Sequence, residues 1–300
     1  MGIKKTISEA FPIETVKAMR YKYRRFRQRL YRPVSEAYFR QILVQKIGVK
    51  EGDTLFIHSS TDFLNVNFSP LQVLKILMDV TGKEGTLIFP AWHIHGRAED
   101  YLQDENNIFD MKRSPAVLGL LPELARRLPG AQRSVHPINS IVAVGANAKE
   151  IVAGHEQSIY PCGVSSPYYK MLAFKAKIVG LGVNANFFSF VHCSEDIMKE
   201  AFPVQTRTDR TYFGKVKLAS GEIIHVETLA AHQNIQKMNI PAYLKKYVSK
   251  DIYTAYRIRG SDFYVADANA LLKRMIELAK QNITIYERTG QRSNETSIQN

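Results

Sequence analysis

The sequence predicts an α/β fold, a single large domain with a mixed sheet flanked by helices. Apolar runs of strand length alternate along the chain with amphipathic segments of helix length, which is typical of helices packed on a sheet. The region 212–229 instead shows two alternating runs around Ser220-Gly221, which predict an antiparallel hairpin in the C-terminal third. No Pro/Gly/Ser-rich linker and no internal repeat divides the 300 residues, so one domain is favoured over two.

Each predicted element depends on its own periodicity and end signals. Strands are short apolar runs, whereas helices are longer segments whose apolar residues recur every three or four positions. Ser35, which follows the helix-breaking Pro33, is a predicted N-cap. Ser69 and Pro70 begin the next helix, and Gly82 ends it. In chain order the predicted strands are 54–60, 85–93, 139–145 and 176–183, and the predicted helices are 35–49, 69–82, 114–128, 165–174, 192–202 and 267–282.

Basic residues concentrate near the N-terminus. The chain carries a net charge of +13, and residues 1–40 hold eleven Lys/Arg against three Asp/Glu. We therefore divide the chain into a basic amphipathic helical extension (1–40), a main domain (41–287) and a polar tail (288–300) that is predicted to be disordered.

An apolar stripe runs along the predicted basic helix. Such a helix either docks on the main domain, which we favour, or lies on a membrane surface or another anionic partner. Nucleic-acid binding is the least favoured interpretation, because no recognised nucleic-acid-binding module accompanies the charge. The stripe consists of Val16, Met19, Tyr23, Phe26 and Leu30.

Composition indicates the compartment. The two cysteines, Cys162 and Cys193, supply no disulfide framework, and the N-terminus lacks the apolar stretch of a signal peptide. The longest apolar runs have strand length and are too short to cross a bilayer. We therefore expect a cytoplasmic protein.

The most informative segment of the chain is SFVHCSE (189–195), at the start of a predicted helix. His192 and Glu195 stand three residues apart and so share one helical face. The carboxylate can accept a hydrogen bond from one imidazole nitrogen, which leaves the other nitrogen free to take a proton. Ser189 can present its hydroxyl to the same space. On its own, such a pair is more often a satisfied polar pair than a catalytic one.

Five further segments accompany this one: EGDTLFIHSS (51–60), GTLIFPAWH (85–93), FDMKRSPAVLGLLPE (109–123), RSVHPINSIVAVG (133–145) and GVSSPYYKML (163–172). Together and in this order they resemble the aminoglycoside 3-N-acetyltransferase family, the antibiotic acetyltransferases that use acetyl-CoA. The RSxHPxxS and T/SxxHxxE patterns are the most specific. Ser189 stands where the family usually has Thr, and Ser114 stands where it often has Thr before a proline; both keep the hydroxyl. Met111 stands where Pro often follows Asp110.

The resemblance implies a CoA-dependent N-acetyltransferase, with residues 41–287 as the acyl-CoA N-acyltransferase domain. In the family, transfer is understood as direct attack of an amine on the thioester. His192, aligned by Glu195, would be the general base, a role worth about 10²–10⁴ in rate. Ser189 would hydrogen-bond the developing oxyanion. A covalent route through Cys193 is disfavoured, because consecutive helical side chains point about 100° apart.

Four residues are predicted to bind acetyl-CoA. Ser59 and Ser60 end a strand, and ligands of open α/β sheets bind beyond the carboxyl ends of strands. Ser140 either contacts CoA or the thioester carbonyl, or bonds backbone at the start of its strand. Arg133 pairs either with a CoA phosphate or with a nearby carboxylate.

Four further residues are candidates for catalysis or for binding the acceptor. His136 precedes a proline at the mouth of a strand, and we expect it to contact the substrate or assist the base. Trp92 and His93 follow a strand and are predicted to form a substrate-binding loop. Asp110 either orients a substrate hydroxyl or amine, or only holds a turn. His93 and His95 form a His-x-His pair without a third ligand at a diagnostic spacing, so no metal is expected.

Charge guides the expected acceptor. Aminoglycosides are polycations, which a basic surface repels, whereas a nucleotide-linked amino sugar carries a pyrophosphate that suits such a surface. We therefore expect N-acetylation of a nucleotide-linked amino sugar in lipopolysaccharide or other surface-polysaccharide biosynthesis. Aminoglycoside modification, which confers antibiotic resistance, is the alternative. A non-catalytic protein that binds a membrane or polyanion is a third possibility, and the presence of His192, Glu195 and His136 together argues against it.

Overall fold

The structure, a computed structural model, describes residues 13–233 and 237–286. Residues 1–12 of the predicted extension and the predicted tail at 288–300 lie outside the described residues. The strands are β1 (Thr54–Ser59), β2 (Thr86–Pro90), β3 (Ile108–Asp110), β4 (Gln132–Arg133), β5 (Ile141–Gly145), β6 (Lys177–Leu181), β7 (Arg207–Lys217), β8 (Ile223–Ala231), β9 (Tyr253–Ile258) and β10 (Ser261–Asp267). The α-helices are α1 (Ile13–Arg29), α2 (Glu36–Gln41), α3 (Pro70–Thr81), α4 (Ala98–Gln103), α5 (Leu120–Arg126), α6 (Ala148–Val152), α7 (Pro167–Lys170), α8 (Val191–Met198), α9 (Ile240–Tyr247) and α10 (Ala268–Lys280).

A seven-stranded mixed sheet forms the centre of the structure, in the order β4-β5-β2-β1-β6-β10-β9. The three central strands are parallel, because β1 pairs with β2 on one side and with β6 on the other. The outer strands are antiparallel to their neighbours. The predicted hairpin forms as β7 and β8, and it belongs to a separate three-stranded sheet with β3. The predicted fold class, a mixed sheet flanked by helices, is confirmed.

Alternating side chains of β1 show that the large sheet is covered on both faces. Phe56 belongs to one buried cluster, to which α8, α9 and α10 contribute. Leu55 and Ile57 belong to another, to which α2, α3 and α5 contribute. Since successive side chains of a strand point to opposite faces, these clusters are the two cores of the domain.

Four predicted helices differ in extent from those observed. The predicted helices 165–174 and 192–202 are α-helical only over Pro167–Lys170 and Val191–Met198, and each continues as a 3₁₀ turn. The predicted helix 114–128 starts only at Leu120, because Gly119 has a φ of +111° and the N–H of Val117 donates to the carbonyl oxygen of Trp92 instead of to a helical partner. The predicted helix 35–49 is α-helical only in α2 and continues as a wider π-helical turn over Ile42–Ile47. The hairpin of β9 and β10 was not predicted.

The basic helix α1 docks on the domain through polar and cationic side chains. The Arg24 guanidinium donates to Asp262 at 2.8 Å and to the carbonyl oxygen of Gly182 at 3.1 Å. It also lies 4.0 Å from the centre of the Phe63 ring. The ring of Tyr21 meets the same phenylalanine edge-on, with 5.3 Å between centroids. In the described part of the chain, no helix has both the length and the apolar character needed to span a membrane.

The predicted apolar stripe is not the docked face of α1, which corrects the sequence interpretation. Ion pairing and cation–π contacts hold the other face, so most of the stripe points away from the domain. Only Val16 is buried, and the exposed members are Met19 (47%), Tyr23 (62%), Phe26 (61%) and Leu30 (68%).

Candidate active site

A cavity of about 700 Å³ lies where the parallel strands β1, β2 and β6 end. This is the edge at which open α/β sheets bind ligands. We call the cavity the cleft, and most of its wall is apolar. Its wall consists of residues 57–63, Pro90, Trp92, residues 117–120, Pro122, Val183, residues 186–189, His192, Met238 and Ile240.

His192 reaches the cleft from the first turn of α8 and is bound to Glu195. Its Nδ1 lies 3.0 Å from Oε2 of Glu195, as the spacing of three residues predicts. The other carboxylate oxygen accepts a hydrogen bond from the Tyr286 hydroxyl at 2.8 Å. Burial raises the pKa of Glu195, but His192, Arg207 and Tyr286 outweigh it and leave this pKa below its usual value. The pair therefore consists of a partly exposed imidazole and a buried, ionised carboxylate.

A buried ion pair fixes the position of α8. Asp196 accepts two hydrogen bonds from the Arg207 guanidinium, at 2.6 Å from Nε and 2.7 Å from Nη2. It also accepts the backbone N–H of Cys162 at 2.7 Å. The carboxylate is fully buried, and its attraction outweighs burial and raises the pKa of Arg207. This contact ties the helix that carries His192 to strand β7.

Ser189 is bound to a histidine that sequence reasoning did not select. Both its hydroxyl, at 2.9 Å, and its backbone N–H, at 3.2 Å, meet Nε2 of His58. An N–H can only donate, so Nε2 is an acceptor and the ring is neutral, with its proton on Nδ1. Burial lowers the pKa of His58 to about 3, which agrees with a neutral ring. In the sequence, His58 directly precedes Ser59 and Ser60 at the end of the predicted strand 54–60.

The hydroxyl of Ser189 belongs to a series of hydrogen-bonded side chains that runs from Trp92 through Tyr168 and Ser189 to His58. Nε1 of Trp92 donates to the Tyr168 hydroxyl at 3.1 Å, and this hydroxyl is also hydrogen-bonded to the Ser189 side chain. Trp92, Ser59 and Ser60 line the cleft, where sequence reasoning placed them near a ligand. The Ser59 hydroxyl is buried and has no hydrogen-bond partner among the described residues. It is therefore a free hydrogen-bonding group in the cleft wall.

Replacing His58 by Leu is expected to lower the free energy of unfolding by about 1–3 kcal/mol, because the two donors of Ser189 lose their acceptor. His58→Gln is the matched control, since the terminal oxygen of Gln can accept similar hydrogen bonds. Urea denaturation of both variants provides the measurement. Equal losses for Leu and Gln would contradict the assigned hydrogen-bonding role.

His136 does not reach the cleft, which corrects its predicted catalytic role. Its ring is fully buried and stacks on that of His155, with 4.4 Å between centroids. Its Nδ1 accepts the backbone N–H of Asn139 at 3.1 Å, and Nε2 lies 3.3 Å from the Thr228 hydroxyl. Burial, the neighbouring His155 and Arg207 hold its pKa well below the usual value. His136 therefore organises a buried turn, because its polar atoms are satisfied within the protein.

Arg133 and Ser140 also face the interior and not the cleft. Arg133 donates to the carbonyl oxygens of Ala91, at 2.8 Å, and Ser114, at 2.5 Å. The Ser140 hydroxyl donates to the same Ala91 oxygen at 2.7 Å. Of the two roles that the sequence left open for Ser140, the structure shows the hydrogen bond to a backbone group. Arg133 pairs neither with a CoA phosphate nor with a nearby carboxylate, because its guanidinium donates to backbone carbonyl oxygens.

His93 and Asp110 are likewise held by the protein. The His93 ring stacks on Phe109, with 4.4 Å between centroids, and burial together with Arg133 lowers its pKa to about 4. Asp110 accepts the backbone N–H groups of Lys112 and Arg113 at 2.9 Å each, so it holds a turn. Neither residue belongs to the cleft wall. In the described ranges, no cluster of three His, Cys, Asp or Glu side chains is placed to bind a metal.

Cys193 is buried beside the catalytic candidate and belongs to a hydrophobic core. Burial and the charge of Asp196 raise the pKa of its thiol well above the usual value. A protonated core thiol is a poor nucleophile. Cys193→Ala is therefore expected to retain most of the acetyltransferase activity that the motifs predict. A dead Cys193→Ala enzyme, together with an acetyl group trapped on the wild-type thiol, would favour a covalent route.

The family model of aminoglycoside 3-N-acetyltransferases matches residues 56–280. Aminoglycoside N(3)-acetyltransferase IX of Micromonospora chalcea is 30% identical over 162 residues, which cover 50% of this chain and 57% of the relative. Aminoglycoside N(3)-acetyltransferase VII of Streptomyces paromomycinus is 32% identical, with 50% and 56% covered. The chain thus spans a little over half the length of the curated relatives it matches.

Solved structures of aminoglycoside acetyltransferases share the fold. AAC(3)-Xa superposes with a TM-score of 0.73 at 22% identity, covering 89% of this chain and 99% of the other. The binary complex of AAC-IIIb with CoASH superposes with a TM-score of 0.69 at 20% identity, covering 85% and 99%. At these identities the likeness establishes the fold.

The predicted acceptor, a nucleotide-linked amino sugar for polysaccharide synthesis, is wrong. The family model and the relatives are those of aminoglycoside acetyltransferases. The cleft explains why net charge misled the prediction: among its described lining residues there is no Lys or Arg to meet a pyrophosphate, and the one carboxylate is Asp62. Much of the positive charge lies in residues 1–40 instead.

The resemblance inferred from the motifs is confirmed by the extent of the family match. The matched range 56–280 comprises 225 of the 300 residues and includes the whole His192–Glu195 segment. The family is one of N-acetyltransferases, the enzyme class that the motifs predict. The chain therefore belongs to the aminoglycoside 3-N-acetyltransferase family.

Proposed function

We propose that the protein transfers the acetyl group of acetyl-CoA to an amino group of an aminoglycoside. The observation that carries this proposal is the His192–Glu195 pair in the cleft wall. Glu195 occupies Nδ1, so Nε2 is the nitrogen that can take a proton from an attacking amine. The family match and the CoASH complex of AAC-IIIb support acetyl-CoA as the cosubstrate.

The transfer proceeds by direct attack. The amine nitrogen bonds to the thioester carbonyl carbon while His192 takes the amine proton. The C–S bond then breaks, and CoA leaves as the thiolate or takes up a proton as the thiol. Ser189 is the candidate donor to the oxyanion that forms on the thioester carbonyl. Its hydroxyl and its backbone N–H are both directed at His58, so the hydroxyl has to turn toward the thioester to fill this role. The largely apolar cleft suits the pantetheine arm.

Asp62 supports a cationic acceptor. It is the one carboxylate among the described cleft-lining residues, and no lysine or arginine opposes it there. An ammonium group of the acceptor can pair with this carboxylate and thereby be held in the cleft. Arg25 of α1 lies close by, but it donates to the backbone carbonyl oxygen of Asp62 and not to its carboxylate.

Acetylation of a panel of aminoglycosides tests the proposal. The purified protein is incubated with acetyl-CoA and each aminoglycoside, thiol release is followed, and products are identified by mass spectrometry. We expect a mass gain of one acetyl group on at least one aminoglycoside, with equal thiol release. Thiol release no faster than in acceptor-free controls, across the whole panel, would contradict the proposal.

We also propose that helix α1, within the basic residues 1–40, is an extension to the transferase domain and contacts an anionic membrane surface, whereas Phe39 of α2 already belongs to the domain core. The supporting feature is the outward stripe of α1, in which Phe26 and Leu30 are more than half exposed. Arg27 and Arg29, both exposed, flank it. Aromatic and aliphatic side chains between cations are typical of helices that lie in the interface of an anionic bilayer.

The double variant Phe26→Ser, Leu30→Ser is expected to reduce binding to phosphatidylglycerol vesicles by at least about tenfold. Its melting temperature should stay unchanged, because both side chains are exposed. Phe213→Ser, at a site exposed by 62% on β7, is the matched control and should bind vesicles normally. Sedimentation with vesicles provides the measurement. Undiminished vesicle binding by the double variant would contradict membrane contact.

A further inference from the structure

A second cavity, of about 260 Å³, lies between helix α1 and the residues that follow β1. Arg25, Gln28 and Arg29 line it from the helix, and Thr61 lines it from the opposite side. Thr61 also belongs to the wall of the cleft, so the two cavities adjoin at this residue. We call the second cavity the arginine pocket.

The arginine pocket contains hydrogen-bond donors that the protein does not use. Gln28 is 6% exposed, and its side-chain nitrogen has no partner among the described residues. A buried amide without an acceptor costs free energy, so this group indicates a missing partner. Arg25 donates through Nη1 to the carbonyl oxygen of Asp62 at 2.6 Å, and Arg29 forms no ion pair with another described residue.

Other polar groups of the pocket are already committed. The side-chain nitrogen of Asn65 donates to the carbonyl oxygens of Tyr31, at 3.3 Å, and Arg259, at 3.1 Å. The start of α3, at Pro70, also lines the pocket and adds the positive end of a helix dipole. Cations, an unpaired amide and a helix N-terminus together favour an anion with several acceptor oxygens.

We propose that the arginine pocket binds the 3′-phosphate of CoA. This inference rests on the proposed function, which places the pantetheine arm in the cleft. CoA carries its phosphates at the far end of that arm, and the described cleft lining offers them no Lys or Arg. The adjoining arginine pocket supplies two guanidinium groups and an amide donor. Helix α1 lies before the family match at 56–280, so the two guanidinium groups and the amide of this subsite come from the chain's own N-terminal helix.

Binding of CoA and of dephospho-CoA, which lacks the 3′-phosphate, tests the assignment by titration calorimetry. The variant Arg25→Ala, Arg29→Ala is expected to weaken CoA binding by about tenfold or more and to leave dephospho-CoA binding nearly unchanged. Lys22→Ala, Arg27→Ala is the matched control, because it removes the same charge from exposed sites on α1 outside the pocket. The control should bind both ligands as the wild type does.

A second variant, Gln28→Met, keeps the side-chain length and removes the amide. It should weaken CoA binding selectively while its melting temperature stays close to that of the wild type. If both pocket variants bind CoA as tightly as the wild type does, the subsite is overturned. Equal losses of affinity for CoA and dephospho-CoA would also overturn it. Either result leaves the proposed function standing. Inorganic phosphate that binds the pocket without competing with CoA would overturn the subsite too. A wild-type protein that binds no CoA would defeat both proposals.

Discussion

The variant His192→Ala is expected to lower kcat by at least about a hundredfold, as loss of a general base predicts. The side chain is 23% exposed and lines the cleft, so its removal should leave the melting temperature nearly unchanged. Glu195→Gln should cost less activity, because the imidazole remains and only its alignment suffers. Initial rates with acetyl-CoA and the best aminoglycoside of the panel provide the measurement.

Calorimetry with CoA separates catalysis from binding in this experiment. His192→Ala should still bind CoA, because the proton transfer that it removes belongs to the chemical step. Cys193→Ala is a neighbouring control, since its side chain lies in the core and not in the cleft wall. A well-folded His192→Ala protein with near-normal turnover would refute the assigned base.

Local geometry explains which parts of the site were predictable from the sequence. His192 and Glu195 lie on one helix, where a spacing of three residues alone brings side chains together. Ser59, Ser60 and Trp92 follow parallel strands, and the carboxyl ends of such strands share one edge. Both rules require only the secondary structure.

Contacts between distant segments could not be predicted in this way. His58 and Ser189 are separated by 131 residues, and Tyr286 and Glu195 by 91. Neither pair follows a helical or strand period. The predicted catalytic role of His136 was wrong for a related reason. A motif shows which residue stands in a segment, but it does not show which side of the sheet that residue faces. Its ring is therefore buried although its segment resembles the family.

Average properties of the chain were also poor guides to individual surfaces. The net charge of +13 predicted a phosphate-bearing acceptor, yet the described cleft lining contains Asp62 and no Lys or Arg. Periodicity correctly predicted that α1 is helical and amphipathic, but it assigned the docked face to the apolar stripe. Arg24 docks the opposite face, because Asp262 and Phe63 offer it an ion pair and a ring.

Asp196→Ala is expected to lower the free energy of unfolding by about 3–5 kcal/mol, because it leaves the Arg207 guanidinium buried without its counter-charge. The side chain of Asp196 is fully buried, and that of Arg207 is 13% exposed. The variant also removes the acceptor of the Cys162 N–H, which adds to the loss. Urea denaturation, followed by circular dichroism, measures the change.

The double variant Asp196→Leu, Arg207→Met distinguishes the cost of an unpaired charge from the value of the ion pair. Replacing both partners of a buried pair by apolar residues is often close to neutral, so the double variant should be more stable than Asp196→Ala. Asp196 follows Glu195 directly on α8, so an unanchored helix should also misplace His192 and lower kcat. If Asp196→Ala lowers the free energy of unfolding by less than about 1 kcal/mol, water or a rearranged side chain must replace the counter-charge of the Arg207 guanidinium. Helix α8 would then be held mainly by its apolar face.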